Sequence, residues 1–302
     1  MQDSDRRFGV FCALGAYSLW GGLPIYLKAV SAAPADEILM HRVIWSLLFT
    51  GLLIALAGRF DRVRATLRNP RHVLTLVASS AVIAFNWLLY IWAVNNGQLL
   101  EGSLGYYINP LVNVLFGLVL LRERLAPLQW AAVGLAAAGI AVELVAIGKV
   151  PIIALALAVS FSLYGLLRKR LPVDPQTGLM LETALLTGPA ILWWMIWADS
   201  PTADLSANSA GFNLLLIAAG PVTAIPLMLF AAAAQRLNYS TLGMFQYLAP
   251  SCMFLLAVFV FGEALLPHKL LTFGFIWTAL LIFSTHGILQ HRRQRRVRVP
   301  NS

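Results

Sequence analysis

Two apolar stretches of this 302-residue chain carry amide and aromatic side chains at spacings that place them on shared helix faces. Asn86 and Tyr90 are four residues apart with Trp87 between them, and Asn109 and Asn113 are also four apart, so each pair lies on one side of a helix. Amides exchange hydrogen bonds and aromatic rings stack on organic solutes. We therefore predict that these faces line a cavity for a small organic molecule. Hydrogen bonding between helices, with an aromatic belt at the membrane interface, is the alternative.

Charged side chains also fall inside apolar stretches, where a charge costs at least about 2.5–3.5 kcal/mol without a partner. Arg42 and Glu182 are 140 positions apart (182 − 42), the same offset as an internal repeat described below. We predict that they form an ion pair or a shared substrate site; alternatively, each reaches its own membrane surface. His41 could titrate in proton coupling because imidazole changes charge near neutral pH, or it could be a packed polar group.

Together these patterns predict a set of substrate-binding residues with polar or aromatic side chains inside the apolar stretches. The predicted residues are Trp20, Tyr26, His41, Arg42, Asn86, Tyr90, Tyr106, Tyr107, Asn109, Asn113, Glu182 and Gln246.

Sequence motifs for catalysis are not found. There is no HExxH pair, no GxSxG elbow, no GxxxxGK[ST] loop and no cluster of Cys or His at metal-ligand spacing. We predict that the protein is not an enzyme, has no catalytic residue, and binds neither a cofactor nor a metal.

The composition indicates an integral membrane protein. The chain is 59% hydrophobic and 12% charged with a mean hydropathy of +0.76, whereas soluble domains are about 45–50% apolar and about 25% charged. A helix needs roughly 20 apolar residues to cross the bilayer. Ten such stretches are predicted: 8–30, 36–57, 72–94, 99–121, 127–147, 150–167, 177–198, 212–234, 239–261 and 267–289.

The basic residues concentrate on one side of these ten spans. That side carries the arginines of segments 59–71, 122–124, 168–170 and 292–298, whereas the other side has Lys28, Lys149 and Lys269. The positive-inside rule then places both termini in the cytoplasm. Topology accounts for the net charge of +9, so we predict no nucleic acid partner. The basic tail is predicted to anchor the chain, or alternatively to bind anionic lipid head groups.

A block of the sequence occurs twice, 140 positions apart. Tyr106–Pro127 matches Gln246–Pro267, with Pro110 on Pro250 and Glu123 on Glu263, and a weaker echo relates AYSLWG at 16–21 to SFSLYG at 160–165. Such self-similarity indicates an internal duplication. It divides the chain into a cytoplasmic N-terminus (1–7), a first repeat (8–147), a second repeat (148–289) and a basic cytoplasmic tail (290–302).

Five helices per repeat is an odd number, so the second repeat enters the membrane from the opposite side to the first. Inverted repeats of this kind are typical of secondary transporters, which bind substrate near the midplane between the halves and alternate access to it. The sequence therefore predicts a secondary transporter. A passive channel or facilitator and a non-transporting structural protein are the alternatives, although the spans lack the charge rings of channels.

Four segments resemble the EamA family of the drug/metabolite transporter superfamily: YSLWGGLPIYLK at 17–28, EILMHRVIWS at 37–46, NWLLYIWAVNNGQLLEGSLGYYINPL at 86–111 and RERLAPLQW at 122–130. The resemblance extends over about residues 6–289. It implies an all-α membrane protein of ten transmembrane helices in two inverted five-helix EamA repeats, located in the bacterial inner membrane.

The expected partners are a small-molecule substrate and membrane lipids. Resemblance to the family implies a metabolite, an amino acid-like solute or a drug, with a chloramphenicol-related compound among the candidates. A cavity rich in Trp, Tyr and Asn favours an electroneutral solute. The oligomeric state is left open, with a homodimer as one candidate.

Overall fold

The computed structural model describes residues 2–148, 150–262 and 266–298, so Lys149, Glu263 and residues 299–302 of the basic tail lie outside the described residues. All regular structure in these residues is helical. The helices are α1 (Gln2–Ala29), α2 (Ala35–Leu56), α3 (Phe60–Leu67), α4 (Pro70–Asn95), α5 (Leu99–Leu120), α6 (Pro127–Ile147), α7 (Ile152–Arg170), α8 (Pro175–Trp197), α9 (Ala210–Arg236), α10 (Tyr239–Gln246), α11 (Leu248–Phe259) and α12 (Pro267–Arg298).

Several helices begin where the sequence supplies a capping side chain. Asn69 accepts hydrogen bonds from the first backbone N–H groups of α4, Asp174 does so for α8, and Ser209 for α9. Pro70 and Pro175 follow two of these caps, at the first helical position, where proline loses no hydrogen bond. The boundaries of the long helices therefore follow local sequence signals.

The prediction of ten membrane-spanning helices is confirmed. Within the described residues, ten helical segments are long and apolar enough to cross a membrane. The ninth prediction, 239–261, corresponds to two helices because the chain turns at Tyr247 between α10 and α11. Pro250 has no N–H to donate to the Gln246 carbonyl four residues earlier, which weakens the helix at this turn. By contrast, α5 continues through Pro110.

The short helix α3 was not predicted, since residues 58–71 were expected to form a loop. Val63 and Thr66 are the buried residues of this helix, whereas Arg64 is exposed. Arg62 lies 3.8 Å from the carboxylate of Asp174, so this helix contacts the start of α8 in the second half of the chain.

The larger contacts between a helix of the first half and a helix of the second half are matched by contacts between the counterparts of those two helices. Helix α1 packs on α9 as α7 packs on α4, and α1 packs on α11 as α7 packs on α5. Helix α2 packs on its counterpart α8, and α6 on its counterpart α12. Contacts paired in this way are what a two-fold relation between the halves requires, and they are consistent with the predicted inverted repeat.

The loops divide between two faces of the helix bundle. One of them, which we call the basic face, holds Arg59, Arg170 and Arg236. Two contacts there join segments far apart in sequence: Arg170 donates to the Leu120 carbonyl at 3.0 Å, and Arg236 lies 2.8 Å from Asp5. The other, the opposite face, holds the α1–α2, α4–α5 and α8–α9 links. A hydrogen bond of 2.8 Å from Thr202 to Glu37 joins the α8–α9 link to the first turn of α2.

Candidate functional site

A cavity of about 530 Å³ lies between helices of both halves. Its mouth is at the opposite face, where the lining residues Ser31, Pro34 and Asn95 are exposed. It extends to Asn109 and Gln246, which are buried near the middle of their membrane spans. Small-molecule sites in proteins have volumes of about 300–1,000 Å³, so this cavity is of suitable size.

Aromatic rings form much of the cavity wall. Trp20 packs edge-on against Phe161 with ring centroids 5.7 Å apart, and Tyr17 lies 5.7 Å from Trp20. On another side Tyr90 and Tyr106 meet edge to face at 6.2 Å. Such walls bury the apolar body of a ligand and favour planar groups.

Arg42 brings a positive charge into this aromatic cavity. Its Nε–H donates to the hydroxyl of Thr223 at 2.9 Å, which connects α2 of the first half to α9 of the second. The guanidinium lies over the Trp87 ring, 5.0 Å from its centroid. This cation–π contact partly offsets the cost of removing the guanidinium from water.

The amide side chains of the cavity mostly bind other helices. The Asn86 amide donates to the Leu157 carbonyl at 2.9 Å and to the Ser160 hydroxyl at 2.8 Å. The Asn109 amide donates to the Ala158 carbonyl at 2.6 Å and to the Ser162 hydroxyl at 3.1 Å. Their N–H groups are therefore used in joining α4 and α5 to α7.

A second set of amide contacts crosses between the repeated blocks. The Gln246 amide donates to the side-chain oxygen of Asn109, and the Asn113 amide donates to the side-chain oxygen of Gln246 at 2.6 Å. All three residues are buried. The N–H groups of these amides therefore form hydrogen bonds between helices, as the alternative interpretation of the sequence expected.

The twelve predicted substrate-binding residues divide into two groups. One group lines the cavity: Trp20, Arg42, Asn86, Tyr90, Tyr106, Asn109 and Gln246. The other group lies outside the lining: Tyr26, His41, Tyr107, Asn113 and Glu182. Contact with a substrate stays a prediction for the first group.

His41, Tyr26 and Tyr107 each have a protein partner. His41 is buried, accepts a hydrogen bond from the Trp45 indole at 3.0 Å through Nδ1, and packs edge-on against Trp194 at 4.9 Å. The Tyr26 hydroxyl donates to the Leu215 carbonyl at 2.9 Å, and the Tyr107 ring lies 5.7 Å from that of Phe273. For His41 this is the packed arrangement that the sequence left as one of two possibilities.

The predicted Arg42–Glu182 ion pair is wrong. Glu182 instead pairs with Arg168, with 3.5 Å between Oε1 and Nη1, and accepts hydrogen bonds from Ser79 at 2.5 Å and Tyr164 at 3.2 Å. The short link between α7 and α8 brings Arg168 close to Glu182, whereas Arg42 bonds Thr223 on another helix. Equivalent positions in two repeats need not meet, because their separation depends on their distance from the symmetry axis.

The cavity does not reach the basic face, where five residues define what we term the closed end: Glu123, Arg168, Lys169, Glu182 and Tyr239. Glu123, in the link that follows α5, accepts from the backbone N–H of Tyr239 at 2.6 Å and of Ser240 at 2.9 Å, which begin α10. Lys169 donates to the Ala234 carbonyl at 2.9 Å, and the Tyr239 hydroxyl donates to the Ser162 carbonyl at 2.6 Å.

Two lining residues were missed by the sequence prediction although a signal for them was present. Tyr17 and Phe161 occupy matching positions of the AYSLWG and SFSLYG echo, and both line the cavity. The echo was interpreted only as a trace of duplication. Within the described part of the chain, no three His, Cys, Asp or Glu side chains gather as metal ligands.

Comparisons with known proteins agree with this architecture. The model of the EamA-like transporter family matches residues 7–144. An uncharacterized transporter of Vibrio cholerae is 50% identical over 297 residues, 98% of each chain. The protein RarD of Escherichia coli is 48% identical over 293 residues, 97% of this chain and 99% of its own.

A solved crystal structure is also similar, with a TM-score of 0.72 over 91% of this chain and 96% of that one. Its sequence is 21% identical, so this similarity concerns the fold alone. The all-helical architecture therefore has a counterpart of known structure.

Proposed function

The chain belongs to the EamA-like transporter family, in the drug/metabolite transporter superfamily, and from this we propose that it is a secondary transporter of small organic solutes. We further propose that it works by alternating access in the bacterial inner membrane, with both termini in the cytoplasm. The basic face is then cytoplasmic, and the cavity opens to the outside.

The observation that carries this proposal is a cavity between the two halves that is open at one end only. Its mouth is at Ser31, Pro34 and Asn95, and the closed end separates it from the basic face. A carrier must have such one-sided states, because a site open to both sides would let solutes leak. A channel in its conducting state requires a continuous path, so the closed end favours the carrier over the passive facilitator.

Movement between states requires that contacts of the closed end can break. These contacts are hydrogen bonds and one ion pair between helices. Because helix contacts between the halves are paired, the same helices can also pack so that the cavity is open at the basic face and closed at the opposite face. Duplicated halves in opposite orientation make the two packings similar in energy. Conversion between them carries the solute across.

The experiment is solute counterflow in liposomes containing the purified protein. Vesicles are loaded with one unlabelled solute at high concentration, and transient accumulation of the same labelled solute is followed for amino acids, organic acids and amphenicols. A carrier gives an overshoot because internal solute accelerates exchange. Linear uptake without an overshoot indicates a facilitator pore, and uptake equal to that of protein-free liposomes for every solute contradicts transport.

A matched pair of variants on α4 ties the flux to the cavity. Ile91 lines the cavity, whereas Leu88 is 55% exposed on the outer surface of the same helix. Ile91→Trp fills part of the cavity and is expected to lower flux at least tenfold, while Leu88→Trp leaves it within about twofold. Equal flux in both variants would mean that solutes take another route.

A further inference from the structure

We infer that the solute bound in this cavity is an organic carboxylate, held through its negative charge by Arg42. The inference rests on the proposed function, since it takes the cavity as the substrate site. It replaces the electroneutral solute that the content of Trp, Tyr and Asn suggested.

The first observation is the unused hydrogen-bonding capacity of Arg42. A guanidinium has five N–H donors, and here only Nε–H is engaged, by Thr223 at 2.9 Å. The N–H groups on the two terminal nitrogens donate to no side chain or carbonyl of the described residues. These nitrogens are also not among the buried atoms that lack a hydrogen-bond partner, so they remain accessible from the cavity. The donors are thus available to a molecule in the cavity.

The second observation is that the charge of Arg42 has no counter-ion in the described residues. Glu182 pairs with Arg168 instead. At the mouth, Glu37 is buried and accepts from Thr202, and the cavity lining contains no Asp or Glu among the residues described. A cation between low-dielectric walls attracts anions. A charged side chain in a membrane has a high free-energy cost unless a counter-ion is bound to it.

The third observation concerns which anion fits. The guanidinium fork matches the two oxygens of a carboxylate with parallel hydrogen bonds, and the guanidinium carbon lies over the Trp87 ring. Tyr90 and Tyr106 line the same cavity as Arg42, with their rings edge to face at 6.2 Å, and a phenol hydroxyl can donate a hydrogen bond to a carboxylate.

The rest of the cavity specifies the remainder of the solute. Trp20 and Phe161 offer an apolar, aromatic surface, while the Asn86 and Asn109 N–H groups already bind α7. An ammonium group would find no carboxylate in the lining of the described residues. The chemical class is therefore a monocarboxylate with an aromatic or apolar body, and a zwitterion should bind more weakly.

The test compares carboxylates with their neutral amides of the same shape. Binding to purified protein is measured by calorimetry and tryptophan fluorescence for 3-phenylpropanoate against 3-phenylpropanamide, and for indole-3-acetate against indole-3-acetamide. Phenylalanine and inorganic phosphate are added as a zwitterion and an inorganic anion. At least one carboxylate is expected to bind about tenfold or more tightly than its amide, because charge-assisted hydrogen bonds are lost in the amide. Amides that bind as tightly as both carboxylates, or phosphate that binds more tightly than either, overturn the inference.

Variants assign the preference to Arg42. Arg42→Gln is expected to remove the preference for carboxylate over amide, and Arg42→Lys to retain part of it because the charge remains. Arg64→Gln makes the same change on exposed α3 and should bind like the unmodified protein. If Arg42→Gln does not fold, the carboxylate–amide comparison in the unmodified protein and in Arg42→Lys still decides. A preference that persists in a folded Arg42→Gln protein overturns the assignment.

Binding and transport can fail separately. Carboxylate preference without counterflow of any solute contradicts the transporter and leaves the inference standing. Counterflow of neutral or cationic solutes without carboxylate preference contradicts the inference and leaves the transporter standing.

Discussion

At the scale of single residues, two arginines inside the membrane spans have different surroundings. Arg42 keeps free donors toward a cavity, whereas Arg168 is fully buried and lies 3.5 Å from Glu182. Two nitrogens of Arg168 have no hydrogen-bond partner in the structure, so its pairing is incomplete. An incompletely satisfied buried pair gives little net stability and suits a contact that must break.

Removing one member of this pair is predicted to be costly. Arg168→Met leaves Glu182 charged and enclosed, and we expect a loss of about 3–5 kcal/mol in the free energy of unfolding. The measurement is the apparent melting temperature of the purified protein in detergent. Arg170→Met, on the same turn but exposed, should cost less than about 1 kcal/mol.

The double variant Arg168→Met/Glu182→Leu should recover most of that loss, because no unpaired charge remains buried. If the double variant is less stable than Arg168→Met alone, the pair contributes more to stability than its geometry indicates. Counterflow by the stable double variant then reports whether the closed end needs the pair to switch.

At the scale of helices, glycines allow close contact between the two halves. A Cβ atom added at such a position would come within about 3.2 Å of a helix of the other half, and examples are Gly21, Gly105, Gly139, Gly220 and Gly243. Small residues are typical of helix interfaces in membranes, since lipid provides no hydrophobic force between helices and close packing must hold them together.

Gly220→Ala is predicted to destabilise the contact between α9 and α2. The added methyl group would meet the backbone carbonyl of Trp45, which cannot rotate away, and we expect a cost of about 1–3 kcal/mol. Gly51→Ala on α2 is the control, because nothing lies within 4 Å of that position. Alanine should be neutral there or stabilise by about 0.5–1 kcal/mol. A melting-temperature shift of the same sign and size in both variants would contradict the interface.

The start of α10 depends on a carboxylate from the other repeat. Glu123 accepts from the Tyr239 and Ser240 N–H groups and from the Ser240 hydroxyl at 2.7 Å, and so serves as a cap supplied by the α5–α6 link. Glu123→Ala is predicted to cost about 1–2 kcal/mol at this site, which corresponds to roughly 5- to 30-fold faster amide exchange. Exchange is measured by mass spectrometry on peptides covering 237–246.

Glu123→Gln retains one accepting oxygen and should accelerate exchange less than Glu123→Ala. Peptides from α12, which Glu123 does not contact through a hydrogen bond, are the internal reference. Unchanged exchange in α10 for Glu123→Ala would mean that the cap does not hold the closed end.

At the scale of the whole molecule, the two halves share a pattern of helix contacts but contribute unequally to the site. Arg42, Asn86, Tyr90 and Tyr106 all come from the first half, and Gln246 is the polar lining residue of the second among those described. In the proposed mechanism, the paired packing of the halves permits two states, and the asymmetric lining lets one half hold the solute.

The proposed orientation predicts which loops a membrane-impermeant maleimide can reach. In a chain with Cys12→Ala and Cys252→Ala, a cysteine replacing Asp204 on the opposite face should be labelled in spheroplasts. A cysteine replacing Arg64 on α3 should be labelled only after the membrane is opened, because positive loops stay in the cytoplasm. Labelling of the Arg64 position alone in intact spheroplasts would reverse the orientation.

The sequence alone determined the class of fold and the set of spans. Hydrophobic length and loop charge can be read directly along the chain, so the ten spans could be predicted from them, whereas the family was indicated by the four segments that resemble it. Trp20, Arg42, Asn86 and Tyr106, which the sequence predicted as substrate-binding residues, line the cavity, and their contact with a substrate stays a prediction.

The partners of those residues were decided by the tertiary structure. Whether Glu182 meets Arg42 or Arg168 depends on how far each lies from the symmetry axis, which no spacing along the chain encodes. The same holds for Thr223 beneath Arg42 and for the free donors that point to an anion. Hydrophobic pattern determines which segments enter the membrane, whereas side-chain pairing depends on the packing of segments far apart in sequence.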